Sequence, residues 1–309
     1  MLRRFTRAAV AFAALSIVPV TRAETPKQAI AHRGASGYAP EHTLAAYRLA
    51  MTMGADFVEP DLAVTRDNVL ICLHDDTLER TTNAADVFRD RPSRDLPIRI
   101  AAPGPHWLAN DFTLEEIKRL DAGRWFKAEF AGEKVVAFQE MIDLVRGKPG
   151  TGIYPELKSP QLYKARHVDM ERLFVDVVKK NGLDTPRSLE TMPIVVQSFD
   201  EEAIRRVAVD LPAVPRVFLT EQDRDVSEAR LAELATFATG IAPEKAIIAR
   251  HPDMVGRAHA AGLTVTSWTF RADDKTAFPS VRDEMSHFLF TLGVDALFTN
   301  NPDQFPRTK

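Results

Sequence analysis

Two histidines, an arginine and two closely spaced carboxylates, Glu59 and Asp61, stand within residues 31–75 of the 309-residue chain, in His32-Arg33-Gly34, Glu59-Pro60-Asp61 and His74-Asp75. Carboxylates hold hard divalent cations through oxygen, arginine grips phosphate oxygens with a rigid fork, and imidazoles exchange protons near neutral pH. Together they suit metal-assisted chemistry on a phosphate ester. Glu156 and Lys158 repeat the two-residue spacing of Glu59 and Asp61 further along the chain. On a strand that spacing puts both side chains on one face, about 6–7 Å apart, close enough for Glu59 and Asp61 to share a cation. With Glu156, they form an oxygen set suited to one divalent cation, Ca2+ or Mg2+, and no cysteine–histidine cluster favours zinc. A lone pair of strand-end acids would be solvated surface charge, and a lone His74 would be structural. Two histidines flanking one carboxylate pair reverse that judgement.

The elements that must hold these groups alternate. Short apolar runs read as eight strands: 29–31, 57–58, 153–154, 194–196, 216–219, Ala246-Ile247-Ile248, 263–266 and 296–298. Helix-period segments lie between most of them, at 42–53, 113–120, 138–146, 166–181, 201–209, 227–238, 252–261 and 279–291. Thr113-Leu114-Glu115-Glu116 has capping-box spacing, and Gly182, Gly262 and Gly293 fall where helix C-caps are needed. This alternation predicts an α/β fold, a TIM (β/α)8 barrel, with an open doubly wound sheet as the alternative. In such a barrel, chemistry sits at the C-terminal strand ends. His32-Arg33, Glu59 with Asp61, and Glu156 with Lys158 all occupy such ends. A second run, Val69 to Leu73, follows the turn-like Arg66-Asp67-Asn68 and reads as a hairpin that returns His74 to the same rim.

The segment 79–111 breaks the alternation with five prolines and glycines and a dense run of charge. It reads as a short insertion after the second strand region that covers the barrel mouth. Phe88, Pro105, His106 and Trp107 are then candidates to contact the leaving side of a substrate. Arg3, Arg4 and Arg7 precede an apolar run from Ala8 to Val20, and Thr21-Arg22-Ala23 offers a cleavage site. Residues 1–23 are thus expected to be a signal peptide, and 24–309 a single barrel domain, exported to the periplasm or secreted. No cysteine stands there to carry a lipid, so no stable membrane anchor is expected. The only cysteine, Cys72, sits in an apolar run and reads as a core residue. With 27% charged residues and a net charge of -3 there is no basic footprint for nucleic acid.

The motifs resemble those of the glycerophosphodiester phosphodiesterase family, in order and spacing, across essentially the whole mature chain. His32-Arg33-Gly34, Pro40-Glu41-His42-Thr43, the stretch Gly54 to Asp61 and Leu73-His74-Asp75 carry the first part. The stretch Leu120 to Phe126, Tyr154 to Lys158, Gln197-Ser198-Phe199, Trp268-Thr269 and Gly293 to Asn300 carry the rest. The resemblance implies a TIM barrel that splits a small-molecule glycerophosphodiester into sn-glycerol 3-phosphate and an alcohol with one divalent cation. It implies His32 and His74 as the acid/base pair and Glu59, Asp61 and Glu156 as metal ligands. Arg33, Lys158, Gln197 and Trp268 are implied as substrate contacts. Two positions depart from the family pattern: Asn300, where an aspartate is usual, and Val136, where a proline is usual. Neither is expected to touch the acid/base or metal residues. A phospholipase D-type activity on lysophospholipids and an exported, non-catalytic glycerophosphodiester-binding protein are the other readings.

Overall fold

The computed structural model describes residues 26–94 and 103–308, so the expected signal peptide and part of the insertion lie outside the described residues. Eight strand positions run parallel and close on themselves. The first is Gln28–His32; the second is split by Pro60 into Phe57–Glu59 and Asp61–Val64, and the third by Tyr154-Pro155 into Gly152–Ile153 and Glu156–Leu157. Val196–Ser198, Arg216–Thr220, Gly240–Pro243, Thr264–Phe270 and Ala296–Thr299 complete the set. Each pairs in parallel with the next, and the last returns to the first with Gln28 opposite Ala296 and Ala31 opposite Thr299. The chain therefore forms the closed TIM barrel expected from its alternation. Proline removes one ladder donor at each split, but Glu156 N–H donates to the Pro60 carbonyl at 2.8 Å and keeps the strands together.

The barrel interior is filled beneath the rim rather than hollow. Ile30, Val217, Leu219 and Ala242 surround an aromatic row in which Tyr154 meets Phe57 and Phe298 edge-on, at 5.6 and 5.2 Å between centroids. The outer helices bury one stripe each. In Phe138–Arg146, the buried residues Phe138, Met141, Ile142 and Val145 follow the helical repeat. Thr113 caps Leu114–Ile117 with Glu116 closing the box, and the three expected glycine caps adopt φ of 65°, 86° and 85°.

One expected strand is a helix. Ala246-Ile247-Ile248 lies in the helix Lys245–Arg250, and the sixth barrel position is taken by Gly240–Pro243 instead. A three-residue apolar run has no period long enough to separate the two forms, and Gly-Ile-Ala-Pro carries turn-forming residues at both ends. Gly240 is required there: a Cβ would come within 2.4 Å of Thr264 Oγ1 on the neighbouring strand. The helix expected over 166–181 forms as Met170–Lys180, with a separate short helix, Pro160–Ala165, before it.

The hairpin formed as expected. Leu70–Cys72 runs antiparallel to Asp61–Val64, with Leu62 opposite Cys72 and Val64 opposite Leu70. Leu73 N–H donates to the Asp61 carbonyl at 2.9 Å, so the next residue, His74, emerges beside Asp61 at the rim. Cys72 is buried, and burial pushes its thiol up to about 12, as suits a core residue.

Among the described residues of the insertion, the four expected contacts do not line the cleft. Phe88 and Trp107 are buried: the Trp107 indole N–H donates to the Phe88 carbonyl at 2.8 Å, and Phe88 stacks on Phe112 at 4.6 Å. His106 is buried too, its Nδ1 2.6 Å from a Glu79 carboxylate oxygen, while Pro105 is exposed. The Asn110 amide donates to the carbonyls of Val64 and Thr65, fastening the segment to the hairpin's flank. Apolar side chains gain more from that flank than from open water above the barrel. Trp107→Ala should therefore cost about 3–5 kcal/mol of stability, measured by chemical denaturation, with the relative rates on different substrates unchanged. A stable variant with altered substrate ranking would contradict this placement.

Candidate active site

All the strand-end candidates meet in one cleft at the C-terminal face. It has a volume of about 180 Å³, and its floor and walls include His32, Arg33, Glu59, His74, Glu156, Lys158, Gln197 and Trp268. Asp61 lies directly beneath, 1% exposed. The nine residues singled out from the sequence are thus in one place, although up to 236 positions separate them.

The centre is acidic. Oxygen atoms of Glu59, Asp61 and Glu156 lie within 4.8 Å of one another. Their positions follow from the split second and third strands, since Asp61 pairs directly with Glu156 in the register. Two side chains lean in to balance them: Arg33 Nε is 3.2 Å from Asp61, and Lys158 Nζ is 3.0 Å from Glu156. Burial, reinforced by Asp61, raises the Glu59 carboxyl well above the usual carboxylate range. Burial likewise pushes Glu156 up to about 8, against the pull of Lys158. Asp61 goes the other way: burial is outweighed by Lys158, Arg33 and the hydrogen bond from His42.

The donor set fits a hard divalent cation. Three carboxylates converge with only two cationic groups among them, and the buried Gln197 Oε1, in the strand position opposite Glu156, has no hydrogen-bond partner. Because Glu156 titrates near 8 rather than 4.5, stability conferred by its protonated form is present below pH 4.5 and lost as pH rises through 8. A cation must displace that proton. The gain in melting temperature from added Ca2+ should therefore grow from about pH 5 to about pH 8. A gain that stays flat across that window in thermal-shift measurements would contradict a proton-competing carboxylate site.

A layer behind these groups fixes them. Gly34 adopts φ 85°, and a Cβ there would come within 2.8 Å of Ala46, which only glycine avoids. Arg33 itself sits at φ 59°, a left-handed conformation rare outside glycine and concentrated at functional sites. That turn directs Arg33 N–H to Glu59 at 2.7 Å and its guanidinium to Glu41 at 3.0 Å. Glu41 also accepts from Arg80, whose Nε donates to Asp75, and Asp75 accepts from His74 Nδ1 at 2.6 Å. An unbroken chain of polar contacts therefore joins Arg33 to His74. His42, 3% exposed, spans Tyr47 and Asp61 at 2.9 Å each and orients the central carboxylate. Glu41 and His42 were in view only as parts of a family motif, and Asp75 and Arg80 are the roles that spacing did not reveal.

The two histidines have different partners. His74 Nδ1 faces the carboxylate of Asp75, whereas His32 Nδ1 lies 2.8 Å from the amide oxygen of Asn300. Asn300 thus touches His32, one of the expected acid/base pair it was expected to miss, because the eighth strand closes the barrel against the first. Burial, with help from Arg33, lowers His32 from 6.5 to about 3. Val136, the other departure, is a core residue whose carbonyl accepts from Cys72 N–H. The outer wall adds Phe199, Leu219, Glu221, Thr269 and Arg271; Phe199 is 41% exposed and meets Trp268 edge-on at 5.6 Å.

A TIM barrel with an arginine, a lysine, three converging carboxylates and two histidines at its C-terminal face has the composition expected of a barrel phosphodiester hydrolase. Residues 32–304 match the model of the glycerophosphoryl diester phosphodiesterase family, and the chain belongs to that family. The glycerophosphodiester phosphodiesterase of Bacillus subtilis (strain 168) is 35% identical over 292 residues, covering 91% of this chain and 85% of that one. Among solved structures, an Oleispira antarctica phosphodiesterase in complex with the product sn-glycerol-3-phosphate superposes with a TM-score of 0.69. It is 25% identical, over 90% of this chain and 95% of that one. A glycerophosphodiester phosphodiesterase from Agrobacterium tumefaciens gives 0.65 at 28% identity, over 90% and 98%.

Proposed function

We propose that this enzyme hydrolyses glycerophosphodiesters to sn-glycerol 3-phosphate and an alcohol, with one divalent cation, Ca2+ or Mg2+, held by Glu59, Asp61 and Glu156. The observation that carries the reading is the convergence of three buried carboxylates within 4.8 Å between two histidines. A cation bound there would supply Lewis-acid polarisation of the phosphoryl group. Arg33 and Lys158 hold the remaining phosphate oxygens and stabilise the charge that gathers on them in the transition state. His32, neutral and buried, takes the proton of the attacking oxygen. His74 returns a proton to the leaving alkoxide, with the Asp75 carboxylate balancing the imidazolium. The attacker is water or the glycerol 2-hydroxyl; the latter would pass through a cyclic phosphate.

The size of the cleft supports a small polar substrate over a lysophospholipid. Its volume of about 180 Å³ is below the roughly 300–1,000 Å³ of clefts that enclose larger organic ligands. The large aromatic side chains Trp107 and Trp125, which could otherwise line an acyl channel, are not in the cleft wall. A non-catalytic binding protein would have no use for both histidines. Assaying the purified protein on glycerophosphocholine and on lysophosphatidylcholine separates the readings. Glycerol 3-phosphate from the first, with little reaction on the second, is the expected result. Preferred release of choline from lysophosphatidylcholine would favour the phospholipase D-type activity, and binding without products would favour the binding protein. We place the enzyme outside the cytoplasm, as the basic and apolar segment 1–23 supports. The secreted mature chain should begin at Glu24, and a cytoplasmic, uncleaved chain would refute export.

A further inference from the structure

We infer that Asn300 is a positioning residue that holds His32 in the tautomer with hydrogen on Nδ1, leaving the Nε2 lone pair for the cleft. An amide oxygen can only accept a hydrogen bond, so its 2.8 Å contact with Nδ1 makes that nitrogen the donor. Nε2 is then the basic nitrogen, as a proton acceptor requires. The inference rests on the reading of His32 as that acceptor.

The backbone that carries this amide is held firmly at the rim. Asn300 N–H donates to the Phe270 carbonyl at 3.1 Å, and its own carbonyl accepts from Gly37 N–H at 2.9 Å. Three loops, following the first, seventh and eighth strands, are thereby locked at one point of the rim. Gly37 has no room for a side chain: a Cβ would lie 3.0 Å from the Asn300 carbonyl oxygen and 2.6 Å from Asn301 Nδ2. Asn301 secures the next link, donating through its backbone to Thr299 Oγ1 and accepting from Ala272 N–H. The ring of His32 is also fixed on its other side, edge-on to Phe298 at 6.4 Å. Its backbone carbonyl accepts from Ser36 Oγ at 2.7 Å. The backbones that carry the ring and the amide are thus fixed against each other. An amide gives His32 orientation without charge, whereas the carboxylate of Asp75 gives His74 both. One histidine is thereby set up to receive a proton and the other to deliver one.

Two measurements test this, one of them independent of turnover. In 15N-histidine-labelled protein, the His32 resonances, assigned with His32→Gln, should show a protonated Nδ1 and an unprotonated Nε2 at neutral pH. The reverse pattern would mean that the amide presents its NH2 group instead and would overturn the inference. In kinetics, Asn300→Leu should lower kcat by about 10–100-fold, the scale for removing a residue that orients a reacting group, with KM within about twofold. Asn300→Asp restores an acceptor and should recover most of kcat above neutral pH. Unchanged kcat in the leucine variant, or equal losses in both folded variants, would show that the contact only shapes the loop. Failure of the wild-type protein to hydrolyse any diester would refute the proposed reaction while leaving the tautomer measurement to stand or fall alone.

Discussion

Asp61→Asn should abolish the response to divalent cations and reduce turnover by at least ~10³-fold. Removing a group whose cation supplies about 4 kcal/mol of transition-state stabilisation predicts that factor, since each 1.36 kcal/mol is tenfold. Asp61 is the most exposed to this loss because everything turns on it. It lies in register with Glu156, accepts from His42, and faces both Arg33 and Lys158. Asparagine keeps the shape but cannot hold the negative charge that lets two buried cations and a divalent ion coexist. The check is a thermal melt with and without Ca2+ beside a product assay. A variant that still gains stability from Ca2+ and turns over within tenfold of wild type would remove Asp61 from the cation site.

His74→Ala should lose about 10²–10⁴-fold on a natural diester, the usual contribution of a positioned general acid. The more telling result comes from the leaving group. A glycerol phosphodiester of p-nitrophenol needs no proton on departure, so His74→Ala should lose little on it. His32→Ala, lacking the base, should lose heavily on both substrates. Equal losses of both variants on both substrates would contradict the division of roles drawn from the Asp75 and Asn300 contacts. Arg80, which joins Asp75 to Glu41, gives a smaller companion effect through the orientation of His74.

Much of this is legible in the sequence, for physical reasons particular to the residues concerned. Glu59 with Asp61, and Glu156 with Lys158, could be placed on one face because period two is built into an extended chain. His74 could be returned to the rim because Arg66-Asp67-Asn68 followed by five apolar residues has one economical geometry, a hairpin. The failures also have local causes. Ala246-Ile247-Ile248 is apolar on every side and too short to show a period, so only tertiary packing makes it a helix. Trp107 and Phe88 look like mouth residues when proline and charge surround them, yet they pack inward with Phe112 instead. The contact between His32 and Asn300 spans 268 positions and exists only because the barrel closes. Spacing carries no trace of it, and the unusual asparagine was the single clue.

The most direct test of the central claim is glycerol 3-phosphate release from glycerophosphocholine by the purified protein, first stripped with a chelator and then resupplied with Ca2+ or Mg2+. Three buried carboxylates facing two cations predict almost no product from the stripped protein and recovery on adding the ion. Full release in the continued presence of chelator would contradict a cation held by Glu59, Asp61 and Glu156.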